Sequence, residues 1–545
     1  MQTDAHVTSA ARTAGPKRGY RYRPSRPHLT LNLTAGVIAA LMLLPTAYLI
    51  LRAFGVGIGH AVEMLAQPRT LQVIANSAVL ALLVTGLSLL LALPLAWLTV
   101  RTDLPGRRAW SILSVLPLVY PSYVGGYAFV ATMGPRGIVQ DFLEPLGIER
   151  LPSVYGLPGA TWVLTIFTYP YLLLAVRAGL RNLDPALEEA ARNLGYGAWQ
   201  TFRHVTLPAL RPSIAAGSLL VALYVLSDFG AVSILRFNSF TRAIYVQYVS
   251  SFDRSLAAVL SLVLVVMTIL LLFAAQRFQG QQRLYRAGVG TARTLHPVPL
   301  GRWRVPALLF CAGVVTASLI MPTAVVTYWL MRGVQAGESL LPVWAAAGNS
   351  VQAAVLAGAV AVVLALPVAY LAVRFPSRYS LLVSQAVYLG YGLPGIVIAL
   401  SLVFFGANYA PIVYQTLAML IFGYTVRFLP QAMGNVRTGL MQISPRLEEA
   451  GRSLGVGRRT MLRRITLPLL RPSIWTGAAL VFMSTLKELP ITLLLGPTGF
   501  TTLATQIWAA ADEAFFARAA APSLLLLAVS AVGVGIILRQ EERGR

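Results

Sequence analysis

Twelve long apolar stretches constrain the fold of this chain more than any other feature. A helix needs about 20 apolar residues to cross the hydrocarbon core of a bilayer. Prolines interrupt several stretches, and neighbouring helices in a membrane can satisfy the carbonyl groups that such prolines free. We therefore predict an all-α integral membrane protein of about twelve transmembrane helices. The predicted spans are residues 29–52, 72–100, 110–133, 158–180, 213–235, 256–275, 304–331, 347–373, 381–405, 412–436, 473–495 and 521–538.

The composition agrees with a membrane protein. Only 12% of the 545 residues are charged and 57% are hydrophobic, whereas about 25% of the residues of a soluble domain are charged. The net charge is +25. In a membrane protein such an excess of basic residues usually reflects arginine-rich cytoplasmic loops and their attraction to anionic lipids. We expect the lipid bilayer as a partner and no nucleic acid.

Basic residues concentrate in alternate loops between the predicted spans, and this pattern gives the orientation. The basic segments are residues 12–26, 101–108, 181–211, 277–293, 374–378 and 446–471. Because loops rich in lysine and arginine stay on the cytoplasmic side, we predict that both termini are cytoplasmic.

The chain contains an internal repeat. Residues 187–214 and 447–474 match at 17 of 28 positions without a gap. At an offset of 273, Arg101 pairs with Arg374 and Pro121 with Pro394. The repeat predicts two homologous six-helix halves, related by a pseudo-two-fold axis along the membrane normal with a pathway between them. The predicted boundaries are a tail at 1–28, a first half at 29–275, a linker at 276–303, a second half at 304–538 and a tail at 539–545.

Each copy of the basic motif predicts a short helical hairpin on the cytoplasmic side. Asp184-Pro185 and Ser444-Pro445 place an N-cap residue before a proline at the first helical position. A pair of glycines then stops the helix and permits a tight turn, which favours a positive φ angle at the first glycine.

These hairpins resemble the coupling motif of binding-protein-dependent ABC importer permeases, in which Glu-Ala-Ala is followed by glycine in a cytoplasmic loop. The chain has Glu189-Ala190-Ala191 with Gly195, and Glu449-Ala450-Gly451 with Gly455. The second copy departs from the motif only in one small residue. The resemblance implies a permease of the fused, two-half, type I kind in a bacterial inner membrane.

The same resemblance implies partners. The short helix of each half would dock in a groove of an ATP-binding subunit, of which two copies are expected, and a periplasmic substrate-binding protein would deliver the cargo. The residues expected to couple the permease to the ATPase are Glu188, Glu189, Ala190, Gly195, Glu448, Glu449, Ala450 and Gly455.

The chain lacks the residues for its own ATP hydrolysis. A phosphate-binding loop needs lysine followed by serine or threonine, but Lys17 precedes Arg18 and Lys487 precedes Glu488. The five histidines lie outside the predicted spans, and no two of them have the spacing of metal ligands. We therefore expect no catalytic residue, metal site or bound cofactor in this chain, and ATP and Mg²⁺ in the partner ATPase.

Two acidic residues lie inside predicted spans, where charges are costly and often functional. Asp228 and Glu488 are separated by the repeat offset of 260, and Lys487 precedes Glu488. One interpretation is a structural arrangement in which Lys487 neutralises a carboxylate. The other is a translocation pathway or gate formed by Asp228, Lys487 and Glu488, with a mild net negative charge.

The segment KELPITLLLGPTGFTTLATQIW, together with SDFG in the first half, resembles the fused permeases of ferric-iron importers. This resemblance implies ferric iron as the cargo. Thiamine, a polyamine or another small solute remains an alternative for the same machinery, because the binding protein performs most of the selection. A secondary transporter is the alternative of a different class.

Overall fold

The computed structural model describes residues 28–55, 57–135, 137–147, 151–250, 254–279 and 297–543. The predicted N-terminal tail and most of the linker predicted at 276–303 lie outside these ranges. Within the described ranges every regular element is a helix, apart from one isolated bridge between Thr102 and Val298. The all-α prediction is therefore confirmed.

The first half contains thirteen α-helices in the described ranges. They are α1 (Leu29–Gly55), α2 (Ile58–Ala66), α3 (Pro68–Arg101), α4 (Arg107–Leu113), α5 (Ser122–Met133), α6 (Ile138–Leu143), α7 (Leu157–Asn182), α8 (Pro185–Asn193), α9 (Ala198–Thr201), α10 (Leu207–Ser227), α11 (Gly230–Ile234), α12 (Phe240–Val249) and α13 (Arg254–Gln279). A 3₁₀ turn at Leu116–Val119 lies between α4 and α5.

The second half contains twelve α-helices in the described ranges. Its α-helices are α14 (Arg304–Val315), α15 (Met321–Gln335), α16 (Leu341–Arg374), α17 (Arg378–Gly392), α18 (Gly395–Tyr409), α19 (Leu417–Gln442), α20 (Pro445–Ser453), α21 (Arg458–Met461), α22 (Leu467–Leu486), α23 (Pro490–Leu495), α24 (Leu503–Asp512) and α25 (Phe516–Arg543). α14 and α15 are joined by a π-helical turn at Thr316–Ile320.

The described helices support eight to ten membrane spans by length and composition. Eight are long and apolar enough, and two bent pairs raise the number to ten. Helices also occupy the other two of the twelve predicted spans. Of these, α19 carries Arg427 near its middle, and α25 covers the last predicted span, 521–538.

The first helix of each half packs against the other half. α1 contacts α16, α17 and α18, while α14 and α15 contact α3 and α5 respectively. The Tyr379 hydroxyl donates a 2.7 Å hydrogen bond to the carbonyl oxygen of Asn32 in α1. Reciprocally, the hydroxyls of Tyr120 and of Thr323 in α15 form a hydrogen bond. The two halves are thus interlocked by an exchange of helices.

Each half contains two interruptions of its helices near the centre of the molecule. The first precedes α5 and α18, where Pro121 and Pro394 lie at equivalent positions. Proline has no N–H to continue a helix and restricts the residue before it. The second separates α10 from α11 at Asp228, and α22 from α23 at Lys487. The repeat therefore brings four helix interruptions to the middle of the bundle.

The end of the linker is bound to the first half. The N–H of Val298 donates to the Arg101 carbonyl at 2.8 Å, and the N–H of Asp103 donates to the Val298 carbonyl at 3.2 Å. The Asp103 carboxylate accepts hydrogen bonds from Arg304 Nη2 at 2.6 Å and from the Leu300 N–H at 2.8 Å. These hydrogen bonds, that from Arg304 first, lower the pKa of Asp103. The linker thus ends beside the last residue of α3.

Candidate functional site

The first hairpin is formed by α8, a tight turn and α9. Asp184 is the N-cap, and its Oδ1 accepts a 3.0 Å hydrogen bond from the N–H of Ala186. At the other end of α8 the N–H of Tyr196 donates to the Ala191 carbonyl at 3.1 Å, and Gly195 has a φ of +88°. A glycine with a left-handed backbone just after a helix, followed by a hydrogen bond from the next N–H to the carbonyl five residues earlier, is a glycine C-cap.

The second hairpin, formed by α20 and α21, has the same geometry. Ser444 Oγ accepts from the N–H of Arg446 at 3.4 Å, and the N–H of Val456 donates to the Gly451 carbonyl at 3.0 Å. Gly455 has a φ of +77°. The positive φ expected at the first glycine of each pair is confirmed. A Cβ atom at Gly455 would meet nothing within 4 Å, so the backbone angle alone requires glycine.

The predicted coupling residues lie on two different faces of the hairpins. Glu188 and Glu448 are buried, with 9% and 3% of their surface exposed. The exposed members are Glu189, Ala190, Gly195, Glu449, Ala450 and Gly455. The motif therefore presents one glutamate of each pair to the membrane-spanning helices and the other to the outside.

Glu188 is held by the last residue of α3 and by the start of the next long helix. Its Oε1 lies 3.4 Å from Arg101 Nη2 and accepts a 2.8 Å hydrogen bond from Thr206 Oγ1. Thr206 ends a π-helical turn, Phe202–Thr206, that leads into α10. The carboxylate therefore contacts two membrane-spanning helices at once.

Glu448 is held in the same way by the last residue of α16. Arg374 Nε lies 3.1 Å from Glu448 Oε1, and Arg374 Nη2 donates to the carbonyl of Ile443 at 3.0 Å. The Tyr370 hydroxyl is 3.4 Å from Glu448 Oε2. A π-helical turn again leads into α22, at Leu462–Thr466. The sequence interpretation paired Arg101 with Arg374 but did not assign either to the site.

Large apolar side chains are exposed on both hairpins. In the first hairpin they are Leu187, Leu194, Tyr196 and Trp199, and in the second Leu447 and Leu454. Leu194 and Leu454, at equivalent positions, are 80% and 82% exposed. Exposed apolar groups of this kind, rimmed by charged residues, are typical of protein–protein contact surfaces.

A cavity of about 310 Å³ lies between the halves, where the four helix interruptions meet. Its walls include Leu118 before α5, Asp228 after α10, Arg427 in α19, and Lys487 and Glu488 after α22. The structure thus brings all three predicted intramembrane residues to one cavity.

Asp228 caps the short helix that follows it. Its Oδ1 accepts hydrogen bonds from the N–H groups of Ala231 at 3.0 Å and Val232 at 3.4 Å. The first N–H groups of a helix have no partner within the helix and favour a negative charge. The carboxylate of Asp228 therefore stabilises the interruption and also lines the cavity.

Glu488 has a similar position but a different partner. Its Oε1 accepts from the N–H of Ile491 at 3.4 Å, and its Oε2 lies 3.4 Å from Arg427 Nε. Lys487 Nζ instead donates to the carbonyl of Leu118 at 2.9 Å. Among the described residues no ion pair joins Lys487 directly to either carboxylate, and the cation paired with Glu488 is Arg427.

Arg427 also corrects the expected charge of the cavity. With all four groups ionised, the charges of Asp228 and Glu488 are cancelled by those of Lys487 and Arg427. The formal charge of these four groups is therefore zero, whereas the mild negative charge expected from the sequence counted only Asp228, Lys487 and Glu488. Arg427 lies inside the span predicted at 412–436, so the rule that singled out Asp228 also applies to it.

An aromatic cluster borders the cavity at the end of α10 that is far from the hairpin. Phe229 lines the cavity, and its ring centroid lies 5.0 Å from that of Tyr245 and 5.9 Å from that of Trp508. Trp508 Nε1 lies 3.4 Å from Ser233 Oγ, which joins the second half to the first. Phe229 and Trp508 are buried, so the cluster packs behind the part of the cavity wall that Phe229 forms.

The chain resembles known proteins along nearly its whole length. It is 33% identical to the Fe(3+)-transport system permease protein FbpB 2 of Haemophilus influenzae, over 94% of this chain and 99% of the relative. It is 26% identical to the ferric transport system permease protein FbpB of Actinobacillus pleuropneumoniae, over 82% of this chain and 67% of the relative.

A shorter relative matches one part of the chain. The molybdenum transport system permease protein ModB of Escherichia coli is 35% identical over 29% of this chain and 69% of the relative. The family described as "Binding-protein-dependent transport system inner membrane component" matches residues 89–283 and 361–543, once in each half. The chain, a multi-pass inner membrane protein with the two-half arrangement of an ABC permease, belongs to this family.

Proposed function

We propose that this chain is the two-half permease of an ATP-driven importer that carries ferric iron from a periplasmic binding protein into the cytoplasm. The observation that carries the proposal is the presence of two equivalent hairpins, one per half, each with a buried and an exposed glutamate. Two equivalent surfaces match two copies of an ATP-binding subunit. ATP and Mg²⁺ belong to those subunits.

The proposed coupling runs from hairpin to cavity through one continuous helix in each half. α10 has 21 residues and spans about 30 Å at 1.5 Å per residue. It begins at the π-helical turn that holds Glu188 and ends at Asp228. A movement of the hairpin against the ATPase would therefore reach the cavity wall without an intervening flexible segment.

The proposed orientation places the hairpins and both termini in the cytoplasm, as the basic loops indicate. The aromatic cluster of Phe229, Tyr245 and Trp508 then lies on the periplasmic side of the cavity. We propose that this cluster is the outer gate, because its three rings pack together beside the cavity wall at the end away from the hairpins.

Ferric iron is supported by the names of the two relatives that cover most of the chain. The chemistry of the cavity is compatible with a passing cation. Its two carboxylates are already engaged, by backbone N–H groups at Asp228 and by Arg427 at Glu488. A conducting site must bind weakly enough to release its ion, and carboxylates with these partners would not enclose a trivalent ion.

An oxyanion is the second candidate cargo. Shorter relatives are permeases named for molybdenum and sulfate transport, and Arg427 and Lys487 supply two cations to the cavity. Thiamine and polyamines remain candidates because the delivering protein performs most of the selection.

The test is reconstitution of the permease in lipid vesicles with its ATP-binding subunit and its binding protein. Uptake of ⁵⁵Fe(III), ⁹⁹Mo-molybdate, ³⁵S-sulfate, ¹⁴C-thiamine and ¹⁴C-putrescine is measured with and without ATP. ATP-dependent accumulation of iron alone is the expected result. Accumulation of another solute would overturn the cargo and keep the importer. Uptake driven by an ion gradient without ATP would make the chain a secondary transporter.

A further inference from the structure

We propose that Arg101 and Arg374 are positioning residues of transport, which hold the two hairpins to the membrane-spanning helices so that ATPase movement reaches the cavity. The proposal rests on the function proposed above. It assigns to Glu188 and Glu448 a role directed inward, toward these arginines, while Glu189 and Glu449 remain at the outer surface.

The first argument is the symmetry of the contact. The arginine is the last residue of a 34-residue helix in each half, α3 and α16, and its partner is the first glutamate of each hairpin. If these two arginines only contributed positive charge to cytoplasmic loops, their side chains would be exposed to water. Yet the side chains of Arg101 and Arg374 are only 4% and 5% exposed.

The second argument is energetic. Removal of one partner from a buried ion pair leaves an uncompensated charge and is strongly destabilising, whereas replacement of both by apolar residues is often tolerated. The hairpin helices α8 and α20 have nine residues each, and isolated helices of this length are marginal in water. Their position therefore depends on what they pack against, and the ion pair is a buried charged contact that helps to fix it.

The third argument concerns what each arginine is attached to. α3 packs against α7 and α10, and α16 packs against α19 and α22. α19 carries Arg427, and α10 and α22 end at the cavity residues Asp228 and Lys487. Each pair thus links a hairpin to the helices that form the cavity wall.

The Arg374–Glu448 and Arg101–Glu188 ion pairs differ in the hydrogen bonds that their arginines make. Arg374 makes hydrogen bonds to Glu448 Oε1 and to the Ile443 carbonyl. In contrast, Nε and Nη2 of Arg101 are buried without a hydrogen-bond partner in the described part of the chain. The backbone next to Arg101 is also held by the linker through Val298. We therefore expect substitution of Arg374 to reduce transport more than substitution of Arg101.

The experiment compares Arg101→Gln and Arg374→Gln with the control Arg378→Gln, an exposed arginine four residues after Arg374. Each permease is reconstituted with its ATP-binding subunit and loaded binding protein. We expect ATP-dependent iron uptake at least tenfold lower for Arg374→Gln and severalfold lower for Arg101→Gln. Binding-protein stimulation of ATP hydrolysis should fall too, while the ATP-binding subunit still co-purifies. The control should match the unmodified protein.

Two further variants are needed if the Arg374→Gln protein fails to insert into the membrane. Arg374→Lys keeps the cation and should insert with severalfold lower uptake. The double variant Arg374→Met with Glu448→Met removes both charges and should insert but remain poorly coupled. Uptake and stimulation equal to those of the unmodified protein in these variants would overturn the positioning role. If the unmodified complex itself shows no ATP-dependent uptake of any of the five solutes, the proposed importer function fails instead.

Discussion

Lys487 Nζ donates a 2.9 Å hydrogen bond to the main-chain carbonyl of Leu118, across the boundary between the two halves. Leu118 belongs to the 3₁₀ turn Leu116–Val119, which ends just before the interruption at Pro121. Carbonyl groups at the end of a helix lack partners within it, and a cation there is favourable. This contact therefore connects the second half to a helix interruption of the first.

Replacement of Lys487 by methionine should reduce ATP-dependent uptake about fivefold or more. Methionine keeps much of the side-chain volume but leaves the carbonyl of Leu118 without its donor, and an unpaired buried polar group costs about 1–3 kcal/mol. The measurement is the initial rate of iron uptake in reconstituted vesicles. Lys487→Arg, which keeps a donor and the charge, is the control, and unchanged uptake in the methionine variant would show that the contact is dispensable.

Replacement of Glu488 by glutamine should reduce iron uptake more than it reduces stimulation of ATP hydrolysis. The change keeps the volume and leaves Arg427 without its anionic partner, so the formal charge of the cavity becomes positive and opposes entry of a cation. The control is Glu513→Gln, an exposed glutamate in the turn after α24. If uptake and stimulation fall in parallel, Glu488 is structural or part of coupling. Normal uptake would remove it from the pathway.

Replacement of Gly195 and Gly455 by valine should weaken binding of the ATP-binding subunit and lower transport. Both glycines have φ near +80°, where a residue with a Cβ pays about 1–2 kcal/mol. The matched control is Gly457→Val, in the same turn, because a Cβ there meets nothing within 4 Å and no positive φ is required. Co-purification of the ATP-binding subunit is the measurement, and wild-type transport in the double variant would refute the role of the turns.

Cysteines introduced into a variant in which the only native cysteine, Cys311, is replaced by alanine should report the orientation. We expect an impermeant maleimide added to intact cells to label exposed positions 144 and 339. Positions 200 and 459, in the hairpins, should react only after the membrane is permeabilised, because their loops are rich in arginine. Labelling of position 200 in intact cells would reverse the proposed topology.

The hairpins were predictable from the sequence because every determinant is local. Asp184, the proline after it and Gly195 define the start and end of α8 within twelve positions of the chain, and the second copy repeats the signal. The ion pairs that orient the hairpins were not predictable in the same way. Glu188 meets Arg101 only because the fold brings the end of α3 beside α8. A repeat pairs equivalent residues without indicating which of them are in contact.

The charges of the cavity illustrate a second reason. Asp228 and Glu488 were found because each is acidic within an apolar run, whereas Arg427 lies in a helix whose other arginine, Arg437, is nearer to the basic loop. Its contact with Glu488 joins α19 to the interruption after α22. Such a contact depends on how the helices pack and is not visible in the sequence. Lys487 adjoins Glu488 in sequence, yet it faces Leu118, so adjacency along the chain gave the wrong partner.

The exchange of first helices between the halves has a consequence for synthesis of the protein. Asn32 in α1 and its partner Tyr379 are separated by 347 residues. At roughly 5–20 residues per second, the ribosome needs about 17–70 s to make that intervening chain. During this interval α1 lies in the bilayer without the second half that will cover it. The surfaces of α1 that later contact α16, α17 and α18 must therefore face lipid until the second half is made. We expect a membrane chaperone or the lipid composition to affect the yield of folded protein during this interval.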